Sequence, residues 1–300
     1  MQQFLEIDDI DPATLARVID RAMAYRNDPS GVPRLLAGQG AALLFEKPSA
    51  RTRSSSEMAI VTLGGHPIYI RDEEVQMDRR ESVEDVARTL AGYCALIAAR
   101  TFEHSTLERM VAAVEIPVIN LLSDLAHPCQ AIADLITLRS HFGALDGRRV
   151  AYVGDGNNVA ASLAFACAFT GIDFVLASPE GYELPDDVVD RVRNLGGSVE
   201  QFHDPYDAVR DADAIYTDVW TSMGQEQESA IRKVAFTGYC IDETLVGTAP
   251  DHVVVMHCLP AHRGEEISES VLEGPRSLVW TQAAFRMDAF RSLVVEMFES

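Results

Sequence analysis

Lysine is nearly missing from this chain: among 300 residues only Lys47 and Lys233 occur, and the formal net charge is −21. Arginine is plentiful, but that excess of negative charge argues against nonspecific nucleic-acid binding, which depends on surface Lys and Arg neutralising phosphates. An acidic surface also repels anionic ligands, so any anion site must be assembled locally from arginines and backbone N–H groups. No apolar run approaches the roughly 20 residues needed to span a bilayer. The 5 cysteines (Cys94, Cys129, Cys167, Cys240 and Cys258) contain no CxxC pair, so neither a disulfide framework nor a zinc site is expected. Residues Met1 to Glu6 show neither a basic leader with an apolar segment nor an Arg-rich presequence. The expectation is a cytoplasmic protein without a membrane partner. Low-complexity tracts, internal repeats and long linkers are also absent.

What is present reads as a globular α/β protein. At 300 residues the chain exceeds one comfortable core, so two domains are expected. Short β-branched runs alternate with longer helical stretches, the pattern of parallel sheets flanked by helices. Asp11-Pro12 opens a helix through Tyr25. Strands follow at Ala41–Phe45, Pro67–Ile70, Ala95–Ala99 and Pro117–Asn120, with helices opening near Ser49, Ser82 and Ser105. A helix over Pro128–Phe142 leads to a second series of strands: Val150–Val153, Phe174–Ala177, Val199–Phe202, Ala214–Thr217 and Val253–His257. The expected layout is a first domain over 1–135, a second over 145–275, helices joining them, and a terminal helix over 281–300 packing back on the first.

Several constellations carry chemistry. Ser49-Ala50-Arg51-Thr52-Arg53 enters a helix after a strand, where free N–H groups, hydroxyls and a guanidinium suit phosphate. An ordinary serine cap with solvent-facing arginines is the bland alternative. Arg100 ends another strand, and ligands collect at the carboxyl ends of strands in open α/β sheets. His127-Pro128-Cys129-Gln130 puts a donor and an amide on one face of a helix entrance, with Asp134 a turn further on. Asp218 opens the polar loop Asp218-Val219-Trp220-Thr221-Ser222-Met223-Gly224, and its carboxylate could pair with a cationic amine. His257-Cys258-Leu259-Pro260 ends an apolar strand; adjacent strand residues face opposite ways, so His257 is poorly placed as a base for Cys258. Gly154-Asp155-Gly156 follows a strand but lacks the third glycine of a dinucleotide loop, Val159 standing there.

Taken together these segments resemble the aspartate/ornithine carbamoyltransferase family. Ser49 to Arg53 matches its S-T-R-T-R loop, His127 to Gln130 its H-P-x-Q element, and Asp218–Gly224 and His257–Pro260 the ornithine-type D-x-W-x-S-M-G and H-C-L-P elements. The order and spacing agree over nearly the whole chain. The resemblance implies two α/β domains, usually in a homotrimer, and carbamoyl transfer from carbamoyl phosphate to the side-chain amine of L-ornithine with no metal or organic cofactor. It implies that Ser49, the Ala50 N–H, Arg51, Thr52 and Arg100 hold the phosphate. Thr52, Arg100 and His127 would polarise the carbamoyl oxygen, while Gln130 and the carbonyls near Cys258 and Leu259 hold the carbamoyl NH2. Arg286 would reach the same group, and Gln76 would enter the site of a neighbouring copy. Asn158, Asp218, Ser222 and Met223 would bind the ends of ornithine, with Cys258 near the attacking amine.

The chain departs from the family pattern at Ala50 for threonine, at Ser54 and Ser56 for two phenylalanines, at Asp78 for glycine, and at Phe285 and Phe290 for polar residues. The serines are expected to loosen packing of their helix. Another amine substrate (putrescine or an acylated ornithine), a noncatalytic relative and a nucleotide-dependent oxidoreductase are the rival readings.

Overall fold

Runs such as Ala41–Phe45 and Leu96–Ala99 are apolar at every position, so both faces of each strand require cover. Helices supply that cover in a parallel sheet. The computed structural model describes residues 1–222, 224 and 226–299. They form two units, Met1–Ile136 with Ala284–Ser300, and Thr137–Ala283.

The first unit contains β1 (Gln3–Phe4), α1 (Pro12–Asn27), β2 (Gly40–Phe45), α2 (Ala50–Thr62), β3 (His66–Arg71), α3 (Asp72–Val75), α4 (Val83–Ala91), β4 (Cys94–Arg100), α5 (His104–Ala113), β5 (Val118–Leu122) and the start of α6 (Pro128–Phe142). Its sheet has the order β1-β5-β4-β2-β3. All pairs are parallel, and Phe45 is level with both Arg71 and Arg100. The helix starts follow local chemistry. Asp11 accepts from the Thr14 N–H (2.6 Å) ahead of Pro12, and Ser82 accepts from the Asp85 N–H (3.1 Å).

The second unit contains the rest of α6, then β6 (Arg149–Val153), α7 (Asn158–Thr170), β7 (Asp173–Ala177), α8 (Asp186–Asn194), β8 (Val199–Phe202), α9 (Pro205–Val209), β9 (Ala214–Thr217), α10 (Ser229–Ala235), α11 (Glu243–Val246), β10 (Val254–His257), α12 (Glu269–Leu272) and the start of α13 (Val279–Glu299). The order is β10-β9-β6-β7-β8, again parallel. From Ala284 onward α13 belongs to the first unit, where Arg17 pairs with Glu296 (2.7 Å) and Arg26 with Asp288 (3.4 Å).

These strand orders decide where ligands can lie. In the first sheet the chain leaves β2 for β3 on one side and returns as β4 on the other. In the second it leaves β6 toward β7 and returns as β9. The loops after β2 and β4, and those after β6 and β9, therefore diverge at topological switch points, where open α/β sheets leave a crevice. Ser49–Thr52 and Arg100 occupy the first, and Gly154–Asn158 and Asp218 the second. Among the described residues no helix is long and apolar enough to cross a membrane.

Candidate active site

In the first unit, Ser49 is the extended N-cap of α2; its hydroxyl accepts from the Thr52 N–H (3.3 Å) and donates to Thr52 Oγ1 (3.0 Å). Ala50 is exposed at the helix start, Arg51 is half-buried and Thr52 is buried. Arg53 turns elsewhere, pairing with Glu57 (2.8 Å) and lying 3.7 Å over the Tyr69 ring. Ser56 is buried while Ser54 is exposed, so only one of the two serines stands where a phenylalanine would have to be packed.

Arg286 joins three elements. It donates to Thr52 Oγ1 (2.7 Å) and to the Gln130 carbonyl, and Gln130 Nε2 donates to Asp134 Oδ1 (2.8 Å). All of these groups are buried, and so are Arg100 and His127. Phe285 and Phe290 pack into the interior beside Arg286. Burial holds the His127 imidazole well below its usual pKa, with the Arg286 and Arg100 charges adding to the effect. His127 is therefore neutral at pH 7, a donor through one nitrogen only. Gln76, exposed at the C-terminal end of α3, makes no side-chain hydrogen bond to this group among the described residues.

In the second unit, Asp218 is buried at the end of β9. Its Oδ1 accepts from Cys258 Sγ (2.9 Å) and its Oδ2 from Asn157 Nδ2 (3.4 Å). Asn157 caps α7, its Oδ1 accepting from the N–H groups of Val159 (2.9 Å) and Ala160 (3.1 Å). Asn158 is half-buried in the first turn of α7, and Ser222 is half-buried in the loop after β9. Met223 lies outside the described residues.

His257 serves its own turn. Its Nδ1 accepts from the Leu259 N–H (2.8 Å), which leaves the proton on Nε2 to meet the buried Glu266 carboxylate (3.1 Å). Leu259, at φ 60°, precedes a cis peptide to Pro260. Asp218, His257 and Cys258 bring possible metal-ligand atoms within 4.8 Å of one another, but both imidazole nitrogens and the thiol are engaged in the bonds just described. Gly156 is a packing glycine: a Cβ there would lie 2.5 Å from the Glu183 backbone. That close approach accounts for the Gly-x-Gly turn without a nucleotide.

Four residues were given no role by the sequence. Asn157 tethers Asp218, and its signal was an asparagine before an apolar run. Arg232 binds Asp155 (2.7 Å), Glu228 (3.0 Å) and the Trp220 carbonyl (3.1 Å), fastening the loop after β9; nothing local marked it. Lys47 lies 4.4 Å over the Phe102 ring, its pKa pushed down by burial and then by Arg100. Glu266 gave no signal at all.

Two parallel α/β units, one with a buried arginine–threonine–glutamine cluster behind a helix N-terminus and the other with a buried carboxylate–thiol pair, have the donors that suit an anion and a carboxylate that suits a cationic amine. Residues 2–140 match the family model described as "Aspartate/ornithine carbamoyltransferase, carbamoyl-P binding domain", and residues 146–297 match "Aspartate/ornithine carbamoyltransferase, Asp/Orn binding domain". The chain belongs to the aspartate/ornithine carbamoyltransferase family. It is 48% identical over 298 residues to the ornithine carbamoyltransferase of Acidothermus cellulolyticus, covering 98% of this chain and 96% of that one. The solved ornithine carbamoyltransferase of Pyrococcus furiosus superposes with TM-score 0.93 at 42% identity, covering 98% of this chain and 96% of that one. An acetylornithine transcarbamylase complexed with acetylcitrulline superposes with TM-score 0.88 at 26% identity, each chain covered to 98%.

Proposed function

We propose that this enzyme transfers the carbamoyl group of carbamoyl phosphate to the side-chain amine of L-ornithine, giving L-citrulline and phosphate. The observation that carries the reading is the convergence of Arg286, Thr52 and Gln130, joined from three separate elements of the first unit. Ser49, the Ala50 N–H, Arg51, Thr52 and Arg100 hold the phosphate. The amine lone pair attacks the carbamoyl carbon, the carbonyl oxygen gains negative charge, and the bond to the phosphate oxygen then breaks, the departing phosphate taking the proton that the amine nitrogen loses. Thr52, Arg100 and neutral His127 donate to that oxygen, and donors fixed in advance cost no reorganisation as charge grows. Gln130 and the carbonyls of Cys258 and Leu259 take the NH2 protons, with Arg286 fixing Gln130. Asn158, Asp218, Ser222 and Met223 bind the ends of ornithine, and Cys258, held by Asp218, lies at the attacking amine.

The same reading makes the assembly a homotrimer in which Gln76 serves a neighbour's site. It places the protein in the cytoplasm, where its 5 free thiols would stay reduced. A colorimetric citrulline-type assay across ornithine, N-acetylornithine and putrescine tests the substrate. A kcat/KM for ornithine at least about a hundredfold above the others is expected, since an unpaired buried polar group discriminates by at least that factor. Preference for either of the other amines would overturn the choice of substrate.

A further inference from the structure

Asp78 stands where the resemblance led to glycine, and it adopts the conformation that favours glycine. Its φ is 56°, and that of Gln76, two residues earlier, is 52°. Two left-handed residues so close together need something to hold them. Met77 between them is buried in the core with Val83, Val86, Leu107 and Met110. The Asp78 N–H donates to the Glu81 carbonyl (2.8 Å), and the N–H groups of Arg79 and Arg80 both donate to the Gln76 carbonyl (3.0 and 2.9 Å).

The third hold comes from α5. Arg109 Nη1 and Nη2 donate to the two oxygens of Asp78 (2.5 and 3.0 Å), and Nε and Nη2 donate to the two oxygens of Glu84 on α4 (2.7 and 2.8 Å). One guanidinium thus closes two bidentate forks, one to the loop and one to the helix that follows it. The Arg109 bonds pull Glu84 down to about 2 and lower Asp78 too, so both carboxylates stay ionised at neutral pH. A single exposed ion pair contributes little, but two planar forks on one guanidinium define a geometry that a point charge does not. With Met77 buried and Asp78 gripped just after it, the backbone that carries the exposed side chain of Gln76 is held in place.

We infer that Arg109 is a positioning residue which, by gripping Asp78 and Glu84, sets how Gln76 is presented to carbamoyl phosphate. This rests on the reading in which Gln76 reaches the carbamoyl phosphate of a neighbouring copy. Arg109, Asp78 and Glu84 act through the loop and touch no substrate.

The test compares Gln76→Ala, Arg109→Gln, Arg109→Lys and Asp78→Asn in the whole protein, with a thermal melt and a sizing run on each. Arg109→Gln is expected to raise the KM for carbamoyl phosphate about three- to tenfold, with kcat and the ornithine KM changed by less than about twofold, the pattern of lost substrate affinity. Arg109→Lys should recover part of that affinity. Asp78→Asn, which keeps a residue tolerant of the left-handed region, should reproduce a smaller share of the loss. Added to Gln76→Ala, Arg109→Gln should raise the carbamoyl phosphate KM no further, because the presented group is already gone. If Arg109→Gln and Asp78→Asn change only the melting temperature while Gln76→Ala is impaired, Arg109 is merely structural and the inference fails, with the role of Gln76 intact. If Gln76→Ala is itself wild-type-like, the reading of the loop fails and the inference falls with it. Should Arg109→Gln not fold, Asp78→Asn and its combination with Gln76→Ala decide on the same criteria.

Discussion

Arg51 and Arg100 reach one switch point by different routes, Arg51 from the first turn of α2 and Arg100 as the last residue of β4, level with Phe45. Arg100 is buried, so its charge must be answered by an anion or by backbone rather than by bulk water. Replacing either arginine by alanine should lower kcat/KM by about a hundredfold, on the order of 3 kcal/mol, with folding retained. Wild-type kinetics in both variants would remove the phosphate assignment. His127 makes a different kind of prediction, through stability. Its folded pKa is depressed by burial, then by Arg286 and Arg100, while in the unfolded chain it returns to its usual value. Below about pH 6.5 the unfolded chain binds a proton that the folded chain refuses. Stability should therefore fall as pH drops below 6.5, by at most about 1.4 kcal/mol per pH unit from this group, and be independent of it above. The difference in unfolding free energy between wild type and His127→Asn, measured from pH 5 to pH 8, should carry that slope. A flat difference would mean that His127 is not held neutral.

At the scale of elements, the long periodic or alternating segments were legible, and what escaped was short, wholly buried or made of distant partners. Val199–Phe202 and Ala214–Thr217 are strands over the limits expected, and Pro128–Phe142 is a helix over its expected limits, because each is bounded by turn residues or proline. β1, two residues long, is invisible to any pattern of alternation. α7 is buried at every position from Val159 to Cys167, so its sequence shows no polar face to mark a period. The chemical groups divide in the same way. Ser49–Arg53 and His127–Gln130 are each short continuous stretches at a helix start and could be read as units. The Asn157–Asp218–Cys258 and Arg232–Asp155 contacts join residues far apart in sequence that only the β6–β9–β10 order brings together. Asn157 performs two functions at once, capping α7 and tethering Asp218. Asn157→Ala should cost about 1 kcal/mol of stability as a lost cap, and should also raise the KM for ornithine while leaving that for carbamoyl phosphate unchanged. A loss of stability with both KM values unaltered would leave it as a cap alone.

At the scale of the whole molecule, the proposed function asks a chain of net charge −21 to take an anionic substrate, and of the arginines assigned to it Arg100 and Arg286 are buried and Arg51 half-buried. The Gln76 loop differs, a largely exposed segment from Arg71 to Glu81 in which Met77 is buried and Val75 packs partly buried against the core, and its exposed face suits a surface facing another copy. If active sites are shared around a cyclic trimer, two defects that each abolish activity should complement. Arg100→Ala disables the site of its own chain, and a disruptive change at Gln76 disables that of the neighbour. The two inactive proteins are denatured and refolded together, and the mixed species are verified by mass. Random assembly gives a site its intact Arg100 half the time and an intact neighbouring Gln76 half the time, so about a quarter of the sites should be whole. Activity recovering to about a quarter of wild type supports the shared site. If verified mixed trimers stay inactive, each chain carries its entire site and Gln76 acts at home. If the Gln76 variant is active by itself, the loop has no part in catalysis, and the charged forks at Arg109 serve only to hold α4 and α5 together.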